Sequence, residues 1–358
     1  DRLAIISVPE SRDFNQQNYS ANLQQIISSK LNVNLSTTLA QRKETISNPG
    51  IAAGLLDPVP AIDSISDYKN WEINSIATYQ IDERAIVAMG ASFTREDGSM
   101  DSIIDFGFPV PANYTLKRTT KAVYVESSIN ATATLNITAS LRYDDAEQLN
   151  INTKRLTSHY QIDATSSISA EYSEGYKLPS FFALAHPFVG NSQLKPETSN
   201  NYDLTFKHTL SEKLSTRISA YQNTYTNLVD FDPELFTNIN RSKVRAQGAE
   251  WSVNYDVLPQ LNILGNISYN NIKTFDDNAA DGKVVLRRRP KYKGNLQINY
   301  QPITNLSVIT HLAYNDNYYD SSIPTGMVNM AGDFQINLST LWQIIPKVAL
   351  RVAIKNIT

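Results

Sequence analysis

Apolar and polar residues alternate along most of this chain with a period of two. In the stretch 166–176, Ile168, Ala170 and Tyr172 share one face, and Ser167, Ser169, Glu171 and Ser173 share the other. The same parity runs through Leu135, Ile137, Ala139, Leu141 and Tyr143, and through Leu261, Ile263, Gly265, Ile267 and Tyr269. Successive side chains of a strand point to opposite faces, so this pattern predicts strands, each with one apolar face. About sixteen such segments recur, mostly about 9–13 residues long, the length a tilted strand needs to cross a bilayer. No amphipathic helix is predicted, and no apolar run approaches the roughly 18 residues of a spanning helix.

Charges keep to the polar parity: Glu126, Arg142, Glu171, Lys207, Arg217, Glu250 and Arg351. That parity faces water in a soluble sandwich and the lumen in a membrane barrel, so it does not choose between them. Connection length does. Short connections near 29–30, 82–83, 132, 211–213, 258–260, 302–305 and 345–347 take turns with long polar ones near 44–70, 97–117, 145–155, 177–200, 227–243, 274–290 and 317–330. An antiparallel up-and-down transmembrane β-barrel, with short periplasmic turns on one rim and long extracellular loops on the other, gives this alternation. Among 19 tyrosines, Tyr143, Tyr176, Tyr225, Tyr269, Tyr300 and Tyr314 fall near strand ends, where interfacial aromatic girdles are expected.

Composition removes other classes. With no cysteine there is no disulfide framework or thiolate site, and a net charge of −3 gives no case for nucleic acid. His159, His186, His208 and His311 are scattered without metal-ligand spacing, and no GxSxG elbow occurs, so no enzyme is expected. Asn-x-Ser/Thr at Asn34, Asn113, Asn136, Asn266 and Asn337 follows from alternation on an Asn/Ser/Thr-rich face rather than from glycosylation. Asp276, Asp277 and Asp281 crowd one loop with oxygen ligands, but fit no EF-hand spacing and read as a solvated acidic tip rather than a calcium site.

The stretch EGYKLPSFFAL followed by GNSQLKPETSNNYDLTF resembles the late-barrel signature of TonB-dependent outer-membrane receptors, through Pro179, Gly190, Asn191, Leu194, Lys195, Pro196, Glu197 and Thr198. AQGAEWSVNY (Gly248, Glu250), LRRRPKYKGNLQINY (Arg289, Pro290) and RVAIKNIT (Asn356) are similar to further strands of that family in the expected order, in the manner of its cobalamin and catecholate-siderophore branch. The resemblance implies an outer-membrane importer in a Gram-negative bacterium, carrying a ferric siderophore or cobalamin, energised through TonB and monomeric when complete. It also implies that residues 1–358 are a partial barrel, about sixteen of an expected 22 or so strands, without the N-terminal plug, the early strands and the last strand. A fragment of that kind is expected not to close by itself, because unpaired edges in lipid are costly. The alternative is a passive porin-like channel.

For such a receptor the candidate ligand vestibule is Arg287, Arg288, Arg289, Phe231, Phe275, Tyr318 and Tyr319, on long loops over a rigid scaffold. The cations there suit an anionic cargo such as a metal chelate, with outer-leaflet phosphate, in lipopolysaccharide or other lipid, as a competing partner. No resident cofactor or metal is expected. The Leu194–Thr198 run reads as structural, its proline breaking strand pairing.

Overall fold

The computed structural model describes residues 9–50, 60–147, 149–232, 235–275, 286–322 and 326–357. The strands are β1 (Ser11–Ile26), β2 (Leu31–Asn48), β3 (Ala61–Gln80), β4 (Ala85–Asp105), β5 (Pro109–Pro111), β6 (Tyr114–Asn130), β7 (Leu135–Ala146), β8 (Leu149–Gln161), β9 (Ser166–Lys177) and β10 (Glu197–Ser211). They continue as β11 (Leu214–Asp232), β12 (Thr237–Leu258), β13 (Leu261–Phe275), β14 (Tyr292–Ile303), β15 (Leu306–Asn315), β16 (Tyr318–Ser322), β17 (Gly326–Met330), β18 (Asp333–Ile345) and β19 (Val348–Ile354). One short helix, α1 (Phe181–Ala185), interrupts them.

Each long strand pairs antiparallel with the next, from β1–β2 round to β15–β18 and β18–β19. Leaving out three-residue β5 and the separate β16–β17 hairpin, sixteen strands form this meander. Among the described residues β1 pairs only with β2 and β19 only with β18, so the sheet is not closed into a ring.

Short turns on one rim share a local device. A side-chain oxygen at the start of the turn accepts backbone N–H groups two and three residues on: Ser28 from Lys30 and Leu31, Asp82 from Arg84 and Ala85, Thr132 from Thr134 and Leu135. On the other rim the strands run further than the alternation predicts. β4 and β12 have 21 and 22 residues, and much of 97–117, 145–155 and 227–243, expected as loop, is paired strand. Those ladders continue beyond the bilayer, where water leaves no need for an apolar parity.

The two parities have opposite surroundings. Leu141, Val123, Ile267, Leu204 and Val352 are large, apolar and roughly half exposed on one face. A continuous apolar band of this extent is not a surface that water tolerates, and it fits lipid. Glu171, Asp203, Arg217 and Glu250 share the opposite, concave face. Tyr143, Tyr269, Tyr300 and Tyr314 lie on the lipid parity. Tyr225 instead lines the lumen and Tyr176 lies beside Asp144, so these two are not part of a girdle.

Candidate functional site: a lumenal segment and an outer vestibule

Pairing between β8 and β9 stops at Arg155↔Ser173, whereas β9 and β10 stay paired up to Lys177↔Glu197. Freed from β8, the chain between β9 and β10 folds onto the concave side. Its first anchor is Arg118 on β6, whose Nη1 donates to the Pro179 carbonyl at 2.8 Å and whose guanidinium lies 5.0 Å from the centre of the Phe181 ring. Phe181 is buried against Tyr68 and Gly98; a Cβ at Gly98 would come within 2.3 Å of that ring. Ser180 caps α1 by accepting from the Ala183 N–H at 3.1 Å.

Arg118 is held in turn by Glu96, at 2.6 Å from Nε to Oε2, while the other carboxylate oxygen accepts from the Tyr68 hydroxyl at 2.6 Å. These three groups sit past the roughly 9–11 residues that a strand needs to cross the bilayer, counted from the short turns. Burial alone would raise the Glu96 carboxyl, but the hydrogen bonds from Arg118 and Tyr68 outweigh it and hold the group below the usual carboxylate value. Burial, then the same carboxylate, pushes the Tyr68 hydroxyl up.

Beyond α1 the chain turns tightly. The Gly190 N–H donates to the His186 carbonyl at 2.7 Å and the Asn191 N–H to that of Ala183 at 2.8 Å. A Cβ at Gly190 would lie 2.5 Å from both the backbone nitrogen and oxygen of His186, so only glycine fits. His186 is buried beside Phe182, and its Nδ1 accepts from the N–H groups of Phe188 and Val189 at 3.3 Å each. Burial lowers its pKa and favours the neutral ring that this acceptor role requires.

The second anchor is the β11–β12 hairpin. The Val189 carbonyl accepts from the Asn238 backbone and side chain at 2.9 and 2.6 Å, and the Asn191 amide donates to the Asn238 carbonyl at 2.9 Å. Asn240 receives the Lys195 N–H at 2.8 Å and returns a bond to the Lys195 carbonyl at 3.1 Å. Leu194 is buried, and Pro196 leads into β10. Glu197 accepts from the Val229 N–H at 3.0 Å and pairs with Lys177 at 3.6 Å. Residues 178–196 thus span the concave side from the β4–β6 wall to the β11–β12 hairpin, and the motif residues supply its turn and its ties.

A lumenal cavity of about 860 Å³ is bordered by Glu171, Asp203, Arg217, Tyr221, Glu250 and Arg289. A second space of about 600 Å³ shares Lys207 and Arg217 with it and reaches His311. These volumes suit a drug-sized ligand or part of a larger one.

The candidate vestibule residues make different contacts. Arg288 donates its N–H to the Tyr319 carbonyl at 2.7 Å and its Nε to Asp320 at 2.9 Å, which joins the cationic run to the β16–β17 hairpin bearing Tyr318 and Tyr319. Arg287 is exposed, and Arg289 turns to the lumenal cavity. Phe231 stacks edge-on with Phe236 at 5.6 Å, and Phe275 lies under Arg245 at 5.7 Å. The acidic loop of Asp276, Asp277 and Asp281 lies outside the described residues. Among the described residues no three His, Asp or Glu side chains come together as a metal site; His159 and His208 each bond a serine, Ser169 and Ser166, at 2.9 Å. Arg118, Glu96, Tyr68, Asn238 and Asn240 were missing from the sequence reading. Arg118 and its partners come from segments far apart in the sequence, and no local pattern joins them.

Comparison with known proteins gives the same architecture. Residues 6–357 match the family model described as TonB dependent receptor-like, beta-barrel. The chain is similar in fold to the ferric-catecholate import receptor Fiu from K12 E. coli, with a TM-score of 0.76 and 16% identity over 97% of this chain and 60% of that one. It is also similar to the copper transporter OprC (TM-score 0.80, 13% identity, 96% and 61% covered) and to the ferric yersiniabactin uptake receptor FyuA from Yersinia pestis (0.76, 14%, 97% and 56%). The chain therefore spans about 60% of the length of those receptors. With a lipid-facing apolar parity, a polar lumen and a family match over nearly its whole length, this chain belongs to the TonB-dependent receptor β-barrel family of the Gram-negative outer membrane, a family of transporters rather than enzymes.

Proposed function

We propose that this barrel serves an outer-membrane receptor that imports a bulky, scarce nutrient, a ferric siderophore or cobalamin, with energy delivered through TonB. The observation that carries the reading is the lumenal segment 178–196. It occupies the concave side and is tied to both walls, an arrangement that obstructs free diffusion and favours gated import over a passive pore. The outer rim offers Arg288 with Tyr319, and Arg289 over the cavity, as contacts for an anionic chelate.

The test is growth of a receptor-deficient strain expressing the full-length protein under iron or cobalamin limitation, with single chelates supplied. Rescue by one chelate class, with saturable binding to whole cells, is expected. Equal rescue by any small solute would overturn the reading in favour of a porin-like channel.

A further inference from the structure

We infer that the lumenal segment 178–196 is a crossbar between the outer parts of two hairpins, β4–β6 and β11–β12, so that ordering one orders the other. The inference concerns the barrel itself and holds whatever the cargo is. In the wall these hairpins are not neighbours, because β7, β8, β9 and β10 stand between them. Five ladder steps from β6 to β11 make about 24 Å of wall, at roughly 4.8 Å each. The segment crosses that gap on the concave side. On the first hairpin its contacts run from base to tip: Gly98 and Arg118 receive Phe181 and Pro179, and Phe106 meets the ring of Phe188 edge-on, 6.0 Å between centres. Between those two points Met100, Ser102 and Ile104 are buried on the parity of Gly98, whereas Ile103 on the opposite parity is half exposed.

On the second hairpin the contacts are polar. The Val189 carbonyl accepts from the backbone and side chain of Asn238, and the Thr237 hydroxyl lies 3.4 Å from the same oxygen. Phe188 and Val189 are consecutive residues, so the ring that holds one hairpin and the carbonyl that holds the other are joined without slack chain. Their own N–H groups both donate to His186 Nδ1, and the Gly190 N–H closes the turn onto the His186 carbonyl. Moving either hairpin alone must break the ring contact, the Asn238 bonds or the His186 turn, and each of these is costly to lose. Coupling of this kind acts equally in both directions.

The experiment is hydrogen exchange of the full-length protein in detergent, read over residues 103–112, 237–241 and, as the intervening wall, 150–153 at the outer end of β8. Phe106→Ala is expected to speed exchange at 237–241, and Asn238→Ala at 103–112, each by about threefold or more. Residues 150–153 should exchange as in the unaltered protein. Phe188→Ala removes the other half of the ring pair at an exposed position and should match Phe106→Ala at 237–241. The Phe106→Ala, Phe188→Ala double variant should exchange there no faster than either single one. Acceleration confined to the hairpin that carries the substitution, equal acceleration at 150–153, or an additive double variant would overturn the assignment. Uptake is not part of the readout, so the import reading stands or falls separately.

Discussion

The connection at 177–196 and the outer-rim pair made by residues 286–291 with the β16–β17 hairpin are built in opposite ways. The first is fastened mostly by half-buried groups, Arg118 between Glu96 and Pro179, Gly190 against His186 and Asn191 to Asn238, with one exposed tie at Asn240. The second is fastened at its surface, where Arg288, whose side chain is 75% exposed, meets Asp320 and the Tyr319 carbonyl. A segment held by a half-buried ion pair and a steric glycine resists rearrangement, because breaking either contact is costly. A segment held by an exposed ion pair yields at little cost, as loops that close on a ligand must. The family signature therefore sits on the fixed piece, and the cargo-contact candidates sit on the yielding one.

Removing the hub should break the fixed piece most. Arg118→Ala strips a partly buried carboxylate of its partner and frees Pro179, so a loss of about 3 kcal/mol is expected. Hydrogen exchange of the amides of Ala183, Gly190 and Asn191 should accelerate accordingly, while the short-turn rim is unchanged. Gly190→Ala comes next: its Cβ must displace the His186 backbone, at a cost of about 1–3 kcal/mol confined to the same amides. Ala at Gly107, where nothing lies within 4 Å but φ is +93°, separates conformational strain from steric conflict and should leave these amides unaffected.

Acidification should produce a smaller change with a defined sign. Because burial lowers the His186 pKa, the opened segment takes up a proton more readily than the closed one. Closure is unaffected above the ordinary imidazole value of about 6.5, weakens as pH falls from there, and stops weakening below the lowered value. Protection of the Phe188 and Val189 amides relative to their intrinsic exchange rates at pH 7.5 and 5.5 reads this, and His186→Asn should abolish the difference in protection. Smallest of all, Arg288→Gln should cost at most about 1 kcal/mol in the fold, yet weaken chelate binding if the outer rim holds the cargo. A fold effect as large as that of Arg118→Ala would erase the distinction between the two regions.

Much of the wall was legible in the sequence because period-two alternation is a local signal. The number of long strands and the lipid parity follow from it, whereas in place of the connection expected at 145–155 only two residues separate β7 from β8. Strand ends did not: β4 and β12 run on through residues with no apolar parity, since above the bilayer both faces are wet. The five-residue helix α1 escaped because it is too short for a 3.6-residue period to register. The lumenal ties escaped for another reason. Arg118 meets Pro179 across 61 positions and Asn191 meets Asn238 across 47, and neither pairing leaves a trace in spacing. The cationic run 287–293 also divided in a way composition does not show: Arg288 to the hairpin, Arg289 to the lumen, Lys291 to the lipid side.

Energised import, as opposed to passage through an open pore, is tested most directly by uptake of a radiolabelled chelate into cells expressing the full-length protein, before and after a protonophore collapses the inner-membrane gradient. Saturable surface binding that survives the protonophore, with internal accumulation abolished, is the result expected. Accumulation that proceeds unchanged without the gradient and rises linearly with concentration would contradict it.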